Sequence, residues 1–391
     1  MTGRITGGSP PRRGASNLSP IFRGSNQTGL RASNERLVLS LIRIHGELAK
    51  SQIAELTGLT AQTASVIVRA LEAEGLVTAG APLRGKVGQP SIPMSLNPGG
   101  ALFLGLSVGR QSTELALVDF RGHVLNKLRH TYAQPNLDSI AAFANTSIGE
   151  IRSRMSSEQA ARLQGFGVAA SAHFRRDVDI NGSNVVPENW DSIDELATRI
   201  GNPVGVPIYV HDEASAACSA ELIYGLGAGL SDFLYLYIGD ELGTGIVQQG
   251  KLDLSRRGTL KGVARILVPG SDRSLRPLGE LARLPDVSSP IDPVSWQKTD
   301  EKIVTRWIDD LANGIAFAIV AVSAVLSFDA VIVDGLMPRG ILNRIVRQIQ
   351  LVVAELEHDD ISGRIVRNGT TPRDTTALGA ACLPLLDRFC L

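Results

Sequence analysis

The sequence predicts an α/β protein built in two parts, a small three-helix unit with a hairpin over residues 31–98 and a larger body of two similar lobes over residues 99–391. Three observations predict this. At 391 residues the chain far exceeds the roughly 150 residues of an average domain, so more than one core is expected. Apolar residues in the first part recur every three or four positions between capping residues and glycines, the spacing of short helices. In the second part, three strand-like runs joined by glycine-containing turns occupy 101–132, and a similar pattern returns about 130 residues later, as in a duplicated unit.

Residues 1–30 are rich in Gly, Ser, Pro and Arg, with no apolar stretch behind a basic start, and read as a flexible arm rather than a signal peptide. From Ser33 to Gly46, Leu37, Leu41, Ile42 and Ile44 keep helical spacing, with Ser33 or Asn34 as the N-cap and Gly46 as the stop. Lys50–Leu56 is a second, short helix ended by Gly58. Thr60 caps a third that runs from Ala61 to Glu74 and stops at Gly75. Two helices joined by a short turn containing Gly form a helix-turn-helix.

In the third helix Ile67, Ala70 and Leu71 make the apolar stripe, and Gln62, Thr63, Ser65 and Arg69 lie towards the opposite side, near the end that enters a major groove in this motif. Leu76–Ala79 and Pro90–Leu96 read as strands around Pro82–Gln89, a hairpin tip resembling the wing of a winged helix. Arg84, Lys86 and Gln89 on that tip are further DNA contacts, placed along the backbone or minor groove. Charge agrees: the first hundred residues hold 11 Lys/Arg against 5 Asp/Glu, whereas the remainder holds 28 against 34, so only the front of the chain suits a polyanion. A small bundle with a solvated polar face is the competing reading, and it leaves the coincidence of helix spacing, wing and positive charge unexplained.

After Asn97–Gly100 come strands at Ala101–Val108, Glu114–Asp119 and His123–Tyr132, and the second set at Phe233–Ile238, Gly245–Gln248 and Lys251–Leu254. Helices and further short strands follow each set, giving a duplicated α/β body with a cleft between lobes. The apolar segment Gly314–Phe328 is 15 residues long, short of the ~20 that cross a bilayer, and reads as a buried helix running into a buried strand. Three cysteines suit a reducing, cytoplasmic setting and supply neither a disulfide framework nor a metal knuckle.

Gly24–Arg31, Asn34–Leu41, the helix-turn-helix, Gly85–Pro90, His211–Leu222, Ile332–Leu336 and Thr376–Cys382, in that order and spacing, resemble a transcriptional regulator of the ROK family. The resemblance implies a winged helix-turn-helix joined to a two-lobed, actin/hexokinase-like (ribonuclease H-like) body of the ATPase type. It also implies a homodimer or homotetramer that binds double-stranded operator DNA and senses a sugar or sugar phosphate. Sugar kinases of the family open their first hairpin with an Asp-x-Gly-Gly-Thr type phosphate loop, and the matching positions here are Ser107, Val108, Gly109, Arg110 and Gln111. The acid, the second glycine and the threonine are gone, so phosphate and metal lose their supports.

The family's Asn-Asp pair falls on Asp212–Glu213, where Glu213 is either a displaced base or, with Asp212, a cap for the helix that follows. Its Glu-x-Gly-His segment maps onto Gly262, Val263, Ala264 and Arg265, and Val268–Leu284 holds neither Cys nor His, so a structural zinc has no ligands there. Asn189–Trp190 resembles the stretch beside the family's sugar pocket, the tryptophan either stacking on a ligand or sitting in the core. His173 and His211 are either cleft or structural histidines, and Gly239 and Gly243–Gly245 either approach a ligand phosphate or serve as turns. The effector-binding candidates are therefore Asn189, Asp212, Glu213, Thr244 and Arg265, and no catalytic residue, cofactor or metal is expected. An ATP-dependent sugar kinase and a ligand-independent regulator are the alternatives.

Overall fold

The computed structural model describes residues 27–82, 91–171, 193–201, 205–239, 241–254, 262–271, 274–285, 287, 292–356, 365–371 and 376–390. The head comprises α1 (Gln27–His45), β1 (Glu47–Ala49), α2 (Lys50–Thr57), α3 (Ala61–Ala73), β2 (Val77–Ala79) and β3 (Pro93–Leu96). Its three strands pair antiparallel in the order β1-β3-β2. The first helix begins at Gln27, so Ser33 and Asn34 lie inside it and are not its cap. Ser and Asn cost only tenths of a kcal/mol in a helix interior, roughly, and the Arg31–Glu35 ion pair at 2.8 Å, one turn apart, supports the early turns. Gly58 sits at φ +68 and Gly75 at φ +74, the left-handed geometry that ends α2 and the turn after α3.

The first lobe runs β4 (Leu102–Val108), β5 (Ser112–Asp119), β6 (Val124–Thr131), α4 (Leu137–Arg154), α5 (Ser157–Ala161), β7 (Leu163–Ala170), α6 (Ile193–Ile200) and β8 (Ile208–Asp212), with sheet order β6-β5-β4-β7-β8. The second runs α7 (Glu213–Tyr224), β9 (Phe233–Ile238), β10 (Leu242–Gln248), β11 (Lys251–Leu252), β12 (Leu267–Pro269), β13 (Leu275–Pro277), α8 (Leu278–Leu281), α9 (Pro293–Gln297), α10 (Glu301–Ser323), β14 (Ala330–Gly335), α11 (Arg339–Leu356), β15 (Ile365–Asn368) and α12 (Thr376–Phe389). Its main sheet has the order β11-β10-β9-β14-β15, the same as the first, with an antiparallel hairpin followed by two parallel strands. The duplication read from the two strand sets is thus present in the topology. A separate β12-β13 pair was not foreseen.

β4, β9 and β14 are central and buried on both faces, which is why they read as unbroken apolar runs. α12 returns from the second lobe to lie on the first sheet. A Cβ at Gly105 of β4 would meet the Ala381 nitrogen of α12 at 2.5 Å, so the glycine is what lets helix and strand touch. Head and body share one buried cluster, in which Val38, Ile42, Leu71 and Met94 of the head are continuous with Phe103, Phe120 and Tyr235 of the body.

The second hairpin differs from expectation. Gly243 and Gly245 are not turn residues but lie inside β10, which starts at Leu242. A Cβ at Gly243 would run into the Ala214 side chain, and one at Gly245 would meet Cys218 Sγ at 2.6 Å, so these glycines let α7 pack against the strand.

Candidate functional site

The turn between α2 and α3 is held by hydroxyls. The Thr57 hydroxyl donates to the Ile53 carbonyl at 2.6 Å, and Thr60 Oγ1 accepts from the Thr63 amide at 3.1 Å, an N-cap of the kind worth about 1 kcal/mol. Ala64, Ile67, Val68 and Leu71 face the head core, while Ala70 is only half-buried and takes little part in the stripe. Gln62, Thr63 and Arg69 are exposed and Ser65 is half-buried. Thr63 has a local role, its hydroxyl lying 2.8 Å from that of Thr60. Arg69 lies back along the helix and donates to the Ser65 carbonyl at 3.2 Å.

One residue on this face escaped the sequence reading. Val66 is 51% exposed and stands four positions after Gln62 and three before Arg69, on the same stripe. Its signal was a further apolar residue in a helix whose core face was already filled by Ala64, Ile67, Val68 and Leu71. Arg84, Lys86 and Gln89 lie outside the described residues.

Among the described residues three arginines join the head to the body, one of them Arg121, which follows β5 and donates to the Leu96 carbonyl of β3 at 2.8 Å. The Arg43 guanidinium, on α1, donates to the Phe120 carbonyl at 2.7 Å and lies 4.8 Å from the Phe120 ring centroid and 5.6 Å from that of Tyr224. Arg162, just before β7, donates to the Glu74 carbonyl at the end of α3 at 2.6 Å. Burial pushes the Tyr224 phenol well up, with Arg43 opposing.

Between the lobes is a cavity enclosing about 630 Å³ of space, part of it open to solvent. Ser107 and Ala169 line it from the first sheet, Glu213 and Ala217 from α7, Tyr235 and Tyr237 from β9, Asp334 and Met337 from the end of β14 and beyond, and Thr371 and Thr376 from the chain around α12. Tyr237 donates to Glu213 Oε1 at 3.1 Å and Tyr235 to Asp334 Oδ2 at 3.3 Å. Asp334 Oδ1 accepts from the Gly335 amide at 2.8 Å. Complete burial pushes the Tyr235 phenol up, and Asp334 adds to it. Behind the cavity, the buried Glu221 carboxylate accepts from the amides and hydroxyls of Thr370 and Thr371 and from the Leu226 amide, fastening α7 to the strand-end segment of the second lobe.

Of the four cleft candidates among the described residues, only Glu213 lines this cavity. Asp212 is instead the N-cap of α7, accepting from the Ser215 amide at 2.7 Å, because a short acid at that position reaches the free amides of the first turn. Thr244 is buried within β10 and Arg265 is exposed on the short turn 263–265, neither of them on the cavity wall. Asn189, Trp190 and His173 lie outside the described residues, and His211 is half-buried at the end of β8. Gly239 does come close to Glu213, at 3.5 Å from a Cβ built on it to Oε2. Tyr235, Tyr237 and Asp334 were not singled out as site residues. Their signals were two tyrosines two apart on a strand, which share a face, and an acid inside an apolar strand. Among the described residues no group of three or more His, Cys, Asp or Glu is placed to hold a metal ion, and no helix is long and apolar enough to cross a membrane.

Residues 103–262 match the ROK family and residues 29–84 the MarR family. A xylose repressor of Caldicellulosiruptor bescii is 24% identical over 243 residues, 58% of this chain and 56% of its own length. A xylose repressor of Bacillus subtilis is 23% identical over 227 residues, 57% of each chain. The chain thus spans little more than half the length of these curated relatives. Among solved structures, a ROK family transcriptional regulator described as a homolog of the E. coli MLC protein superposes with TM-score 0.65 at 17% identity, covering 92% of this chain and 97% of that one. A ROK hexokinase from Thermus thermophilus superposes with TM-score 0.51 at 19% identity over 73% of this chain and 98% of its own, as expected of a shared body fold. The chain therefore joins a MarR-type winged helix to a ROK family domain of the sugar-kinase-like, actin/hexokinase fold.

Proposed function

We propose that the protein is a DNA-binding transcriptional regulator, a repressor of carbohydrate-metabolism genes, whose body binds a small effector and does not transfer phosphate. The observation that carries this reading is the exposed face of α3, where Gln62, Val66 and Arg69 stand free of the head core on a helix capped and buttressed from behind. That is the arrangement a major groove receives. The names of the relatives support the repressor sense and the sugar link. Ser107, at the position of the family's phosphate-loop acid, offers a hydroxyl where a metal-bound nucleotide needs a carboxylate, which favours a regulator over a kinase. The kinase remains the second reading because Glu213 does stand in the cavity.

The active species on this reading is a cytoplasmic homo-oligomer whose two recognition helices lie about 34 Å apart, one duplex turn, over a palindromic site. Residues 1–30 act as an arm, 31–98 as the DNA-binding unit, with Arg84, Lys86 and Gln89 as wing contacts, and 99–391 as the sensing and assembly unit. Genome-wide recovery of DNA bound to the full chain, followed by binding assays on the recovered fragments, tests this. Selective binding near carbohydrate genes is expected, and indifference to every genomic fragment at low salt, or brisk ATP consumption with a hexose, overturns it.

A further inference from the structure

We infer that the outer face of the β12-β13 ribbon is a contact between two copies of this chain, related by a two-fold axis. The contact gives the homo-oligomer reading above, on which it rests, a surface. The ribbon is separate from both main sheets. Leu267 pairs with Pro277 and Pro269 with Leu275. Directly opposed residues share a face, as do alternate residues along a strand, so all four side chains lie on one side. Val268, between them on the other side, is fully buried in the core of the second lobe. On the outer side Leu267 is 54% and Leu275 65% exposed, Pro269 is exposed and Pro277 half-buried. Single exposed leucines are ordinary, whereas adjoining apolar side chains on one face mark a site of association.

The edges of the ribbon are poorly suited to pairing. Bonds from the Gly270 amide to the Ser274 carbonyl and from the Leu278 amide to the Ile266 carbonyl, both 2.9 Å, close its two ends. The pairs Leu267–Pro277 and Pro269–Leu275 therefore fall at the positions whose backbone amides point out to the open edges. Proline has no amide hydrogen, so each edge loses one of these two outward donors and strand addition is disfavoured. A partner must then meet the face, and the face is self-complementary. Both strands read Leu-x-Pro, so each leucine stands opposite a proline across the pair and beside one along its own strand. A second copy laid face to face about a two-fold axis, along the strands or across them, sets every leucine of one ribbon over a proline of the other. That match of projecting side chains to flat rings is what an isologous contact requires. Four side chains cover less than the ~800 Å² that each partner brings to a standard interface, so the surface around the ribbon completes the contact as its polar rim.

Sedimentation velocity of the full chain over a concentration series tests this. The parent chain is expected to assemble, and Leu267→Asp and Leu275→Asp are each expected to raise its dissociation constant about tenfold or more, because each carries a carboxylate into an apolar contact. Leu275→Ser is the milder variant, with the same direction expected. Both leucines are exposed in the single copy, so circular dichroism of the variants should match that of the parent chain. Val325→Asp, at an 82% exposed position just after α10, is the comparison and should leave assembly unchanged. An assembly that keeps its affinity in all the leucine variants, or that Val325→Asp weakens equally, overturns the ribbon contact and leaves the homo-oligomer reading standing. A parent chain that stays monomeric at every concentration and on operator DNA overturns both.

Discussion

Arg162 closes the C-terminal end of α3, donating from Nη1 to the Glu74 carbonyl at 2.6 Å although 88 residues separate the two. The last carbonyls of a helix lack intrahelical partners and carry its negative dipole end, so a guanidinium there satisfies both needs. Asn97 adds a second tie, donating to the Gly75 carbonyl at 2.8 Å. α3 is therefore braced by the body as well as by the head core. Arg162→Ala should weaken operator binding about fivefold, near the ~1 kcal/mol of one partly exposed charged hydrogen bond, and should speed hydrogen exchange at the end of α3. Unchanged affinity together with unchanged exchange would show that the brace has no role.

The second joint is made by Arg43, held between the rings of Phe120 and Tyr224. Tyr224 ends α7, and Glu213 begins the same helix in the cavity, so one rigid element of 12 residues touches both the cavity and the head. Arg43→Ala removes a part-buried hydrogen bond to the Phe120 carbonyl and two ring contacts, and should cost about 2–3 kcal/mol by thermal or denaturant unfolding. In the same variant, effector should alter operator affinity less than in the parent chain. Full retention of that response would place the coupling elsewhere.

Much of the fold was legible because its signals are local. Thr60, Gly58 and Gly75 announce the helix-turn-helix by their own backbone chemistry, and the two hairpins repeat at a fixed distance. What was hidden depended on distant packing. Nothing near Gly243 or Gly245 in the chain reveals that α7 presses on them, so the segment read as either a ligand approach or a turn, with the strand starting only at Gly245. Asp212 and Glu213 are adjacent in the chain, yet the cap takes one and the cavity the other, because Asp212 is the N-cap of α7 and Glu213 is its first helical residue. Asp334 and the tyrosines join the site only because β9 and β14 are neighbours in one sheet.

Base reading should divide along the exposed stripe of α3. Gln62 has the paired donor and acceptor that match adenine, and Val66 offers methyls that suit a thymine methyl. Gln62→Ala and Val66→Ala should each relax preference at one base pair by about 1–3 kcal/mol, seen by selection from randomised operators. Arg69→Ala and Lys86→Ala should weaken all sequences alike and flatten the salt dependence. Thr63→Ala should lower the stability of the head, since its hydroxyl pairs with the cap Thr60. Equal losses on specific and random DNA for Gln62→Ala would remove it from the base-reading set.

Stability should fall on the alkaline side. Burial raises the thiols of Cys218 and Cys382 and the phenols of Tyr224 and Tyr235, and the phenol of Tyr209 is pushed up to about 12, by burial first and then by its bond to Asp387. Groups with raised folded values keep their protons in the native state while the unfolded chain loses them. Their stabilisation is complete below the ordinary thiol and phenol values of 9.0 and 10.0 and declines as pH climbs beyond them. Denaturant midpoints should therefore be level near pH 8 and drop steadily from pH 9 upward. A midpoint that stays level to pH 11 would contradict the burial of these groups.

The packing of α7 on β10 gives the sharpest test of how the helix that carries Glu213 is seated on the sheet of the second lobe. Gly243 and Gly245 face Ala214 and Cys218, which are themselves buried at 5% and 0% exposure, so neither side has room to yield. An added methyl at either glycine overfills a closed interface, which costs about 1–3 kcal/mol, and the helix that must shift is the one carrying Glu213 and Tyr224. Gly245→Ala should accordingly lower the melting temperature and also weaken the effector response. Gly229→Ala makes the control, because a Cβ there meets nothing within 4 Å and its φ is not positive. If Gly245→Ala is as well tolerated as Gly229→Ala, α7 does not lie against β10 as described.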